Sequence, residues 1–186
     1  MLGERMPRDW EAFYRLGRGP SEPAWVVTAY AGEVPGGRVL DLAGGAGRNA
    51  LFLASRGHEV VLVEGSREAV RRAREAAGRG APLLALVRDL EAGVPELPPG
   101  PYSGVVMTYY VNRPLLARIP GLLAPGGLAL LEGYSRREAA RRGRERSPRY
   151  WDELELARPP AGLSLLAWGA GRWGGGHRVF AVWRRL

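Results

Sequence analysis

The 186 residues suffice for one well-packed domain and are few for two, and the formal charge of +8 rests on 27 basic residues, all arginine. Cysteine is absent and histidine occurs only at 58 and 177, which excludes disulfide frameworks, thiolate metal sites and cysteine nucleophiles, so no metal centre is expected. No run approaches the length of a membrane-spanning helix and the N-terminus lacks a charged-then-apolar secretory pattern, so a cytoplasmic protein without a membrane partner is expected.

The charge has a mundane source. Lysine and glutamine are missing while Gly, Pro, Ala and Leu abound, the pattern of a GC-rich genome. Scarce Asn, Gln and Cys fit a thermophile. Arginine is thus in part a codon effect, although such a surface attracts polyanions non-specifically at low salt.

In chain order, the first thirty-odd residues mix aromatics with Gly and Pro and predict a short helix, a loop and a second helix, Glu22 to Ala31. Strand patterns then recur at Arg38–Asp41, Glu59–Val63, Leu83–Val87, Gly104–Thr108 and Leu128–Leu131. Amphipathic helical patterns lie between them near Arg48–Arg56, Arg67–Ala77 and Pro114–Leu123. Such alternation predicts an α/β fold, a Rossmann-like, doubly wound, mostly parallel sheet covered by helices on both faces. After Tyr134 an arginine-rich segment leads to an expected short acidic helix around Tyr150–Ala157. Strands at Leu163–Trp168 and Arg178–Trp183, joined by the Gly-rich turn Gly169–Gly176, predict an antiparallel hairpin at the sheet edge. No repeat or linker divides the chain, so residues 1–186 read as a single domain.

The stretch from Val39 to Asn49, VLDLAGGAGRN, carries the most chemistry. It reads as a buried strand, an acid at its tip, a glycine turn and the opening of a helix. Gly44, Gly45 and Gly47 free the backbone for φ > 0 and for close approach of a ligand. The helix that follows aims unpaired N–H groups at the turn. Two cofactors suit such a cradle. Residues 45–50 loosely satisfy G-x-G-x-x-G/A with Glu64 about twenty positions on, as a dinucleotide site requires. A pyrophosphate would be repelled by Asp41, whereas S-adenosylmethionine carries an ammonium and a sulfonium that a carboxylate favours. The methyl donor is the better fit. Glu64, at the end of the second strand pattern, can accept hydrogen bonds from both ribose hydroxyls. It also reads as a solvated strand end beside the helix cap Ser66.

The run VLDLAGGAGRNALFLASRGHEVVLVEGS resembles the first two motifs of class I S-adenosylmethionine-dependent methyltransferases, and GRNALFLASRGHEV is closest to the small-molecule branch of tellurite-resistance and thiopurine-type enzymes. ALVRDLEAG is similar to the third motif and LLAPGGLALLE to the connection before the fifth strand. The likeness runs from about Trp10 to about Glu132. One departure is Gly44, where the family usually has cysteine. The resemblance implies that Ala43, Gly44, Gly45, Gly47 and Asn49 hold the donor with Asp41, and that Glu64, Gly65 and Ser66 hold its ribose. It implies Asp89 and Leu90 around the adenine, and Thr108 with the catalytic candidates Tyr109 and Tyr110 nearest the transferred methyl. An N-terminal lid over residues 1–34 is implied as well, with Trp10 and Tyr14 four apart on one helix face. The resemblance also implies that residues 135–160 are a variable substrate-side segment.

No residue is a compelling general base; Tyr109, Tyr110 and His177 are the candidates. The absence of an Asn/Asp-Pro-Pro-aromatic tetrad and of cysteine weakens a base-modifying role. The expected activity is methyl transfer from S-adenosylmethionine, leaving S-adenosylhomocysteine, to a small-molecule acceptor, by a monomer or homodimer. RNA or protein methylation through the arginine-rich surface is a second reading, with nucleic acid not favoured, and a non-catalytic donor-binding module is a third. Residues 135–149, arginines interleaved with Glu138 and Glu145, read by default as a solvated helix.

Overall fold

The structure is a computed structural model that describes residues 9–91 and 96–186. Two short helices, α1 (Trp10–Arg15) and α2 (Trp25–Tyr30), precede an alternating series. This runs β1 (Arg38–Leu42), α3 (Arg48–Ala54), β2 (Glu59–Glu64), α4 (Arg67–Ala77), β3 (Leu83–Val87) and β4 (Tyr102–Thr108). It continues with α5 (Arg113–Leu116), α6 (Ile119–Leu122), β5 (Leu123–Tyr134), α7 (Arg136–Arg141), β6 (Leu163–Trp173) and β7 (Gly176–Arg185). The strands form one seven-stranded sheet in the order β3-β2-β1-β4-β5-β7-β6. The first five run parallel and β7 and β6 run antiparallel, as the alternation and the final hairpin predict.

Successive side chains on a strand point to opposite faces, so a sheet covered on both sides buries nearly every residue of its inner strands. Leu40, Val61, Val105, Ala129 and Ala181 face the layer that includes Leu115, Ile119 and Trp151. Val39, Val60, Leu62, Val106 and Leu130 face α2, α3 and α4 through Val27, Leu53 and Val70. Asp41 shares the face of Val39, and so points beneath α3.

Four sequence expectations are corrected. The second helix begins only at Trp25, because Pro23 disfavours helical geometry at Glu22 and Ala24 stands extended as the N-cap. The helix expected over Pro114–Leu123 breaks into α5 and α6, since Pro120 has no N–H to continue the ladder. No helix forms over Tyr150–Ala157; the segment is a series of turns. Buried Tyr150, Trp151 and Leu156 anchor it at a spacing no helix face matches. The hairpin turn shrinks to Gly174 and Gly175, at φ +54° and +83°, and the strands extend through the glycine run. Gly169 belongs in β6 because any Cβ there would stand 2.6 Å from the Phe180 ring.

Candidate functional site

Strands β1 to β4 end at one edge of the sheet, and the strand order reverses between β1 and β4. That reversal opens a crevice outside the carboxyl ends of the strands. A cavity of about 1020 Å³ occupies it. Its wall runs from the tips of β2 and β3, across the turn after β1, to the tips of β4 and β5.

The turn is shaped for close approach. Gly45 lies at φ +58° with the Tyr14 hydroxyl where a Cβ would be, and Ala43 also sits at positive φ, +54°. A Cβ on Gly44 would stand 2.7 Å from an Asp41 oxygen and from Leu62. Ala43, Gly44 and Gly45 line the cavity. Gly47 is not on its wall: at φ +89° it caps α3, and a Cβ there would press on Ala73 at 3.0 Å. Its glycine serves helix packing.

Asp41 is placed otherwise than the sequence reading expects. It does not line the cavity; it is 1% exposed beneath the glycine turn, and neither carboxylate oxygen makes a hydrogen bond of good geometry among the described residues, the Ala50 N–H exerting only the smallest of the pulls on it. Alternation along β1 directs it under α3 and not into the crevice. Burial raises its pKa to about 7, against the opposing pull of Arg48 and with Glu64 adding to the rise.

Glu64 does line the cavity but is only 9% exposed, so it is no solvated strand end. Its carboxylate accepts from the Gly45 N–H at 3.0 Å and the Ser66 N–H at 2.8 Å, tying β2 to the glycine turn. Ser66 caps α4 by accepting from the Ala69 N–H, and its hydroxyl donates to Glu11 at 2.7 Å. Glu11 also accepts from the Glu68 N–H, while Arg72 donates to the Tyr14 and Arg18 carbonyls. These bonds dock α1 on α4, so that Trp10 and Tyr14, stacked with centroids 6.1 Å apart, close one side of the cavity. Residues 1–8 of the expected lid lie outside the described residues. Gly65 lines the cavity between Glu64 and Ser66.

At the tip of β3, Asp89 and Leu90 both line the cavity. Exposed Asp89 accepts from the Glu91 N–H at 2.8 Å, and the buried Leu90 carbonyl accepts from Asn112 at 3.0 Å and from the Tyr110 hydroxyl at 3.2 Å. At the tip of β4, Asn49 donates to Thr108 Oγ1 and accepts from the Ala24 N–H, both at 2.9 Å. One side chain thereby joins α3, β4 and the start of α2.

Tyr109 occupies a left-handed conformation, φ +58°. Its hydroxyl donates to Glu132, a fully buried carboxylate that also accepts from the Val26 N–H at 2.9 Å and lies 3.5 Å from Arg178. Burial and Glu132 push the Tyr109 phenol well above its ordinary pKa, and burial does the same to Tyr110. Both hydroxyls are already donated inward, which suits positioning and not proton abstraction. His177 is off the cavity wall, bonded to Ser135 at 2.8 Å.

The cavity wall includes residues that local reading missed: Arg48, Trp25, Tyr134, Arg142 and Arg178. Glu132 behind it was legible in principle, being a fourth acid at or near the end of a strand after Asp41, Glu64 and Asp89. Arg178 and Arg142 carry no local signal, because β7 and α7 bring them to the edge only through the fold.

A family profile described as a methyltransferase domain matches residues 39–127. The ribosomal RNA small subunit methyltransferase B of Thermus thermophilus is 43% identical over 97 residues, covering 47% of this chain but only 23% of that protein. Among solved structures, TehB from Haemophilus influenzae superposes with a TM-score of 0.72 at 16% identity, over 95% of this chain and 67% of the other. The magnesium protoporphyrin IX methyltransferase of Synechocystis gives 0.63 at 17% identity, over 94% and 91%. Residues 39–127 thus match a methyltransferase-domain family, and the sheet built around them has the fold of these solved methyltransferases.

Proposed function

We propose that this chain binds S-adenosylmethionine in the crevice and transfers its methyl group to a small-molecule acceptor. The carrying observation is the charge of the crevice over β1 to β3. Glu64, Asp89 and Glu91 line it, and unpartnered Asp41 lies buried under its floor. That field suits a cationic ligand and repels a pyrophosphate. The residues fit the donor: the Gly44–Gly45 turn admits its backbone-proximal part, Glu64 takes the ribose hydroxyls, and Asp89 with Leu90 takes the adenine. Trp10 and Tyr14 cover it, and aromatic faces tolerate a neighbouring sulfonium as they do ammonium groups. When bound, the donor would supply a methyl whose carbon an acceptor lone pair attacks in line, forming the acceptor–carbon bond as the carbon–sulfur bond breaks and its electrons leave with the neutral thioether sulfur. Such transfer needs orientation and exclusion of water more than a strong base. Thr108, Tyr109 and Tyr110, held by Asn49, Glu132 and Leu90, are the positioning groups.

Calorimetry on the purified chain tests the cofactor. S-adenosylmethionine and S-adenosylhomocysteine are expected to bind and NAD is not; NAD binding with no response to the methyl donor would overturn the reading. Glu64→Gln should weaken donor affinity by about 1–3 kcal/mol, because charge-assisted bonds to the ribose are lost. Since Glu64 also holds the Gly45 and Ser66 N–H groups, its thermal midpoint should fall too. Unchanged affinity in a folded Glu64→Gln protein would mean that the ribose lies elsewhere.

An RNA acceptor is the second reading, favoured by the ribosomal RNA methyltransferase relative. Against it, the arginine-rich segment is partly self-neutralised: Arg141 and Arg142 both pair with buried Glu138, and Arg137 pairs with Glu153. It also lacks an aromatic residue from Arg136 to Arg149 on which a base could stack. A single domain, with residues 1–34 as lid and 135–160 as the substrate-side segment, is part of the same proposal.

A further inference from the structure

The acceptor end of the cavity, over β4, β5 and β7, is built unlike the donor end. Guanidinium and phenol groups alternate along it as a ladder. Arg48 lies 5.0 Å from the centre of the Tyr109 ring, and Arg178 lies 5.2 Å from the same ring. Arg178 also stands 5.5 Å from Tyr134, whose other neighbour is Arg142 at 4.6 Å. The two phenol rings meet edge to face at 5.3 Å. Cation–π contacts hold every rung, so the planes are fixed before any ligand arrives.

The ladder keeps donor capacity in reserve. Arg142 has Glu138 at 2.6 Å and Arg178 has Glu132 at 3.5 Å. Arg48 donates to the Glu22 carbonyl at 2.9 Å, with no carboxylate in ion-pair range among the described residues. Arg178 also donates to the Gly174 carbonyl at 2.6 Å, and its buried Nε has no hydrogen-bond partner among the described residues. The donor has one carboxylate, which a single guanidinium can match, so it does not account for the three ladder arginines on the wall. Planar guanidinium groups on aromatic faces match a planar anion, with two parallel bonds to a carboxylate or phosphate. The cavity is at the upper end of the range for one drug-sized ligand, which leaves room for the donor beside one compact ring.

Resting on the methyltransferase reading, we propose that the acceptor is a flat organic anion: a ring bearing a carboxylate or phosphate that Arg48 and its neighbouring arginines hold, with the ring along Tyr109 and Tyr134. The nucleophilic atom then lies on the side of the ring turned toward the donor. A small acid is favoured over RNA because α1 and the segment before α2 wall the cavity.

The full chain saturated with S-adenosylhomocysteine is titrated with 2-hydroxybenzoate, phenyl phosphate, neutral 2-hydroxybenzamide and a short single-stranded RNA, followed by ligand-observed NMR. At least one acid should bind about tenfold or more tightly than the amide, and which acid it is separates a carboxylate from a phosphate acceptor. Arg48→Gln should abolish that preference; because Arg48 also opposes the rise of the Asp41 pKa, its S-adenosylhomocysteine affinity is measured first and each ligand is titrated at saturating S-adenosylhomocysteine, so that the acid-over-amide ratio alone is compared. Arg178→Lys, which keeps a charge beside Glu132, should weaken the acid by removing the planar rung. Equal binding of acid and amide, or no acid binding in a protein that takes S-adenosylhomocysteine, would overturn the proposal. RNA binding that persists at near-physiological salt and outcompetes both acids would overturn it as well. Acid binding without any S-adenosylhomocysteine binding would keep the anion site and overturn the donor reading.

Discussion

Glu132→Ala is expected to lower folding stability by about 3–5 kcal/mol, because it strips a buried carboxylate from partners that stay buried. The side chain has no exposure and serves three elements at once. It accepts from the Val26 N–H of α2, accepts from the Tyr109 hydroxyl after β4, and faces Arg178 of β7. Without it the Val26 N–H has no acceptor and Arg178 loses its counter-charge, while a cavity opens at the end of β5. Glu132→Gln keeps an acceptor and the volume and should cost about 1–3 kcal/mol, the range for a weakened charged hydrogen bond. Urea unfolding of the three proteins measures both. An Ala variant within about 1 kcal/mol of the parent would show that surrounding groups re-pair, and the positioning role given to Glu132 would fail. If the role holds, both variants also loosen the Tyr109 side chain, which loses its carboxylate acceptor while its left-handed backbone keeps the bond from its N–H to the Glu132 carbonyl at 2.7 Å.

The parallel part of the sheet was legible because its physics is local. Strands buried on both faces read as unbroken apolar runs, and Val60 to Val63 or Val105 to Met107, short, rich in valine and set off by Gly57 and Gly65 or by Gly104, read as strands. The misreadings fall where a distant contact decides. Residues 150–157 have helical composition, yet Trp151 is drawn down onto Gly133, where a Cβ would stand 2.8 Å from its indole ring. Nothing near Trp151 in sequence announces that notch. The glycines of 169–171 looked like a turn for a similar reason, since the ring of Phe180 that requires Gly169 lies on the partner strand.

The candidate site divides the same way. The end proposed for the donor is made by consecutive residues at three strand tips, so acid, glycine and spacing could be read together. The end proposed for the acceptor combines Arg48, Tyr109, Tyr134, Arg142 and Arg178, which come together only when β7 inserts beside β5. Asp41 shows a finer limit. Its place at the end of β1 was correctly inferred, but the face it occupies follows from strand parity, and parity puts it under α3 with Val39. Its influence on a ligand must then pass through the field beneath the turn, not through direct contact.

That placement makes Asp41 a cost to the fold. In the folded chain its pKa rises to about 7, mainly through burial. In the unfolded chain an aspartate titrates near 3.9. Stability from this carboxyl is therefore whole below about pH 4 and is lost as pH rises toward 7, since only the folded chain still holds the proton in that window. Asp41→Asn, neutral and of similar shape, should be more stable than the parent above pH 7 by on the order of 2–4 kcal/mol, with the gap closing toward pH 4. The same variant should bind S-adenosylmethionine more weakly, because the buried charge that favours the cation is gone. A cation above the turn should also draw Asp41 toward its ionised form, so the parent should release protons on binding near pH 7 and Asp41→Asn should not. Thermal melts across pH, with calorimetry in two buffers of different ionisation enthalpy, read both effects. A stability difference that does not change with pH would mean that Asp41 stays ionised in the fold. Equal donor affinity in the two proteins would remove Asp41 from the cofactor site altogether.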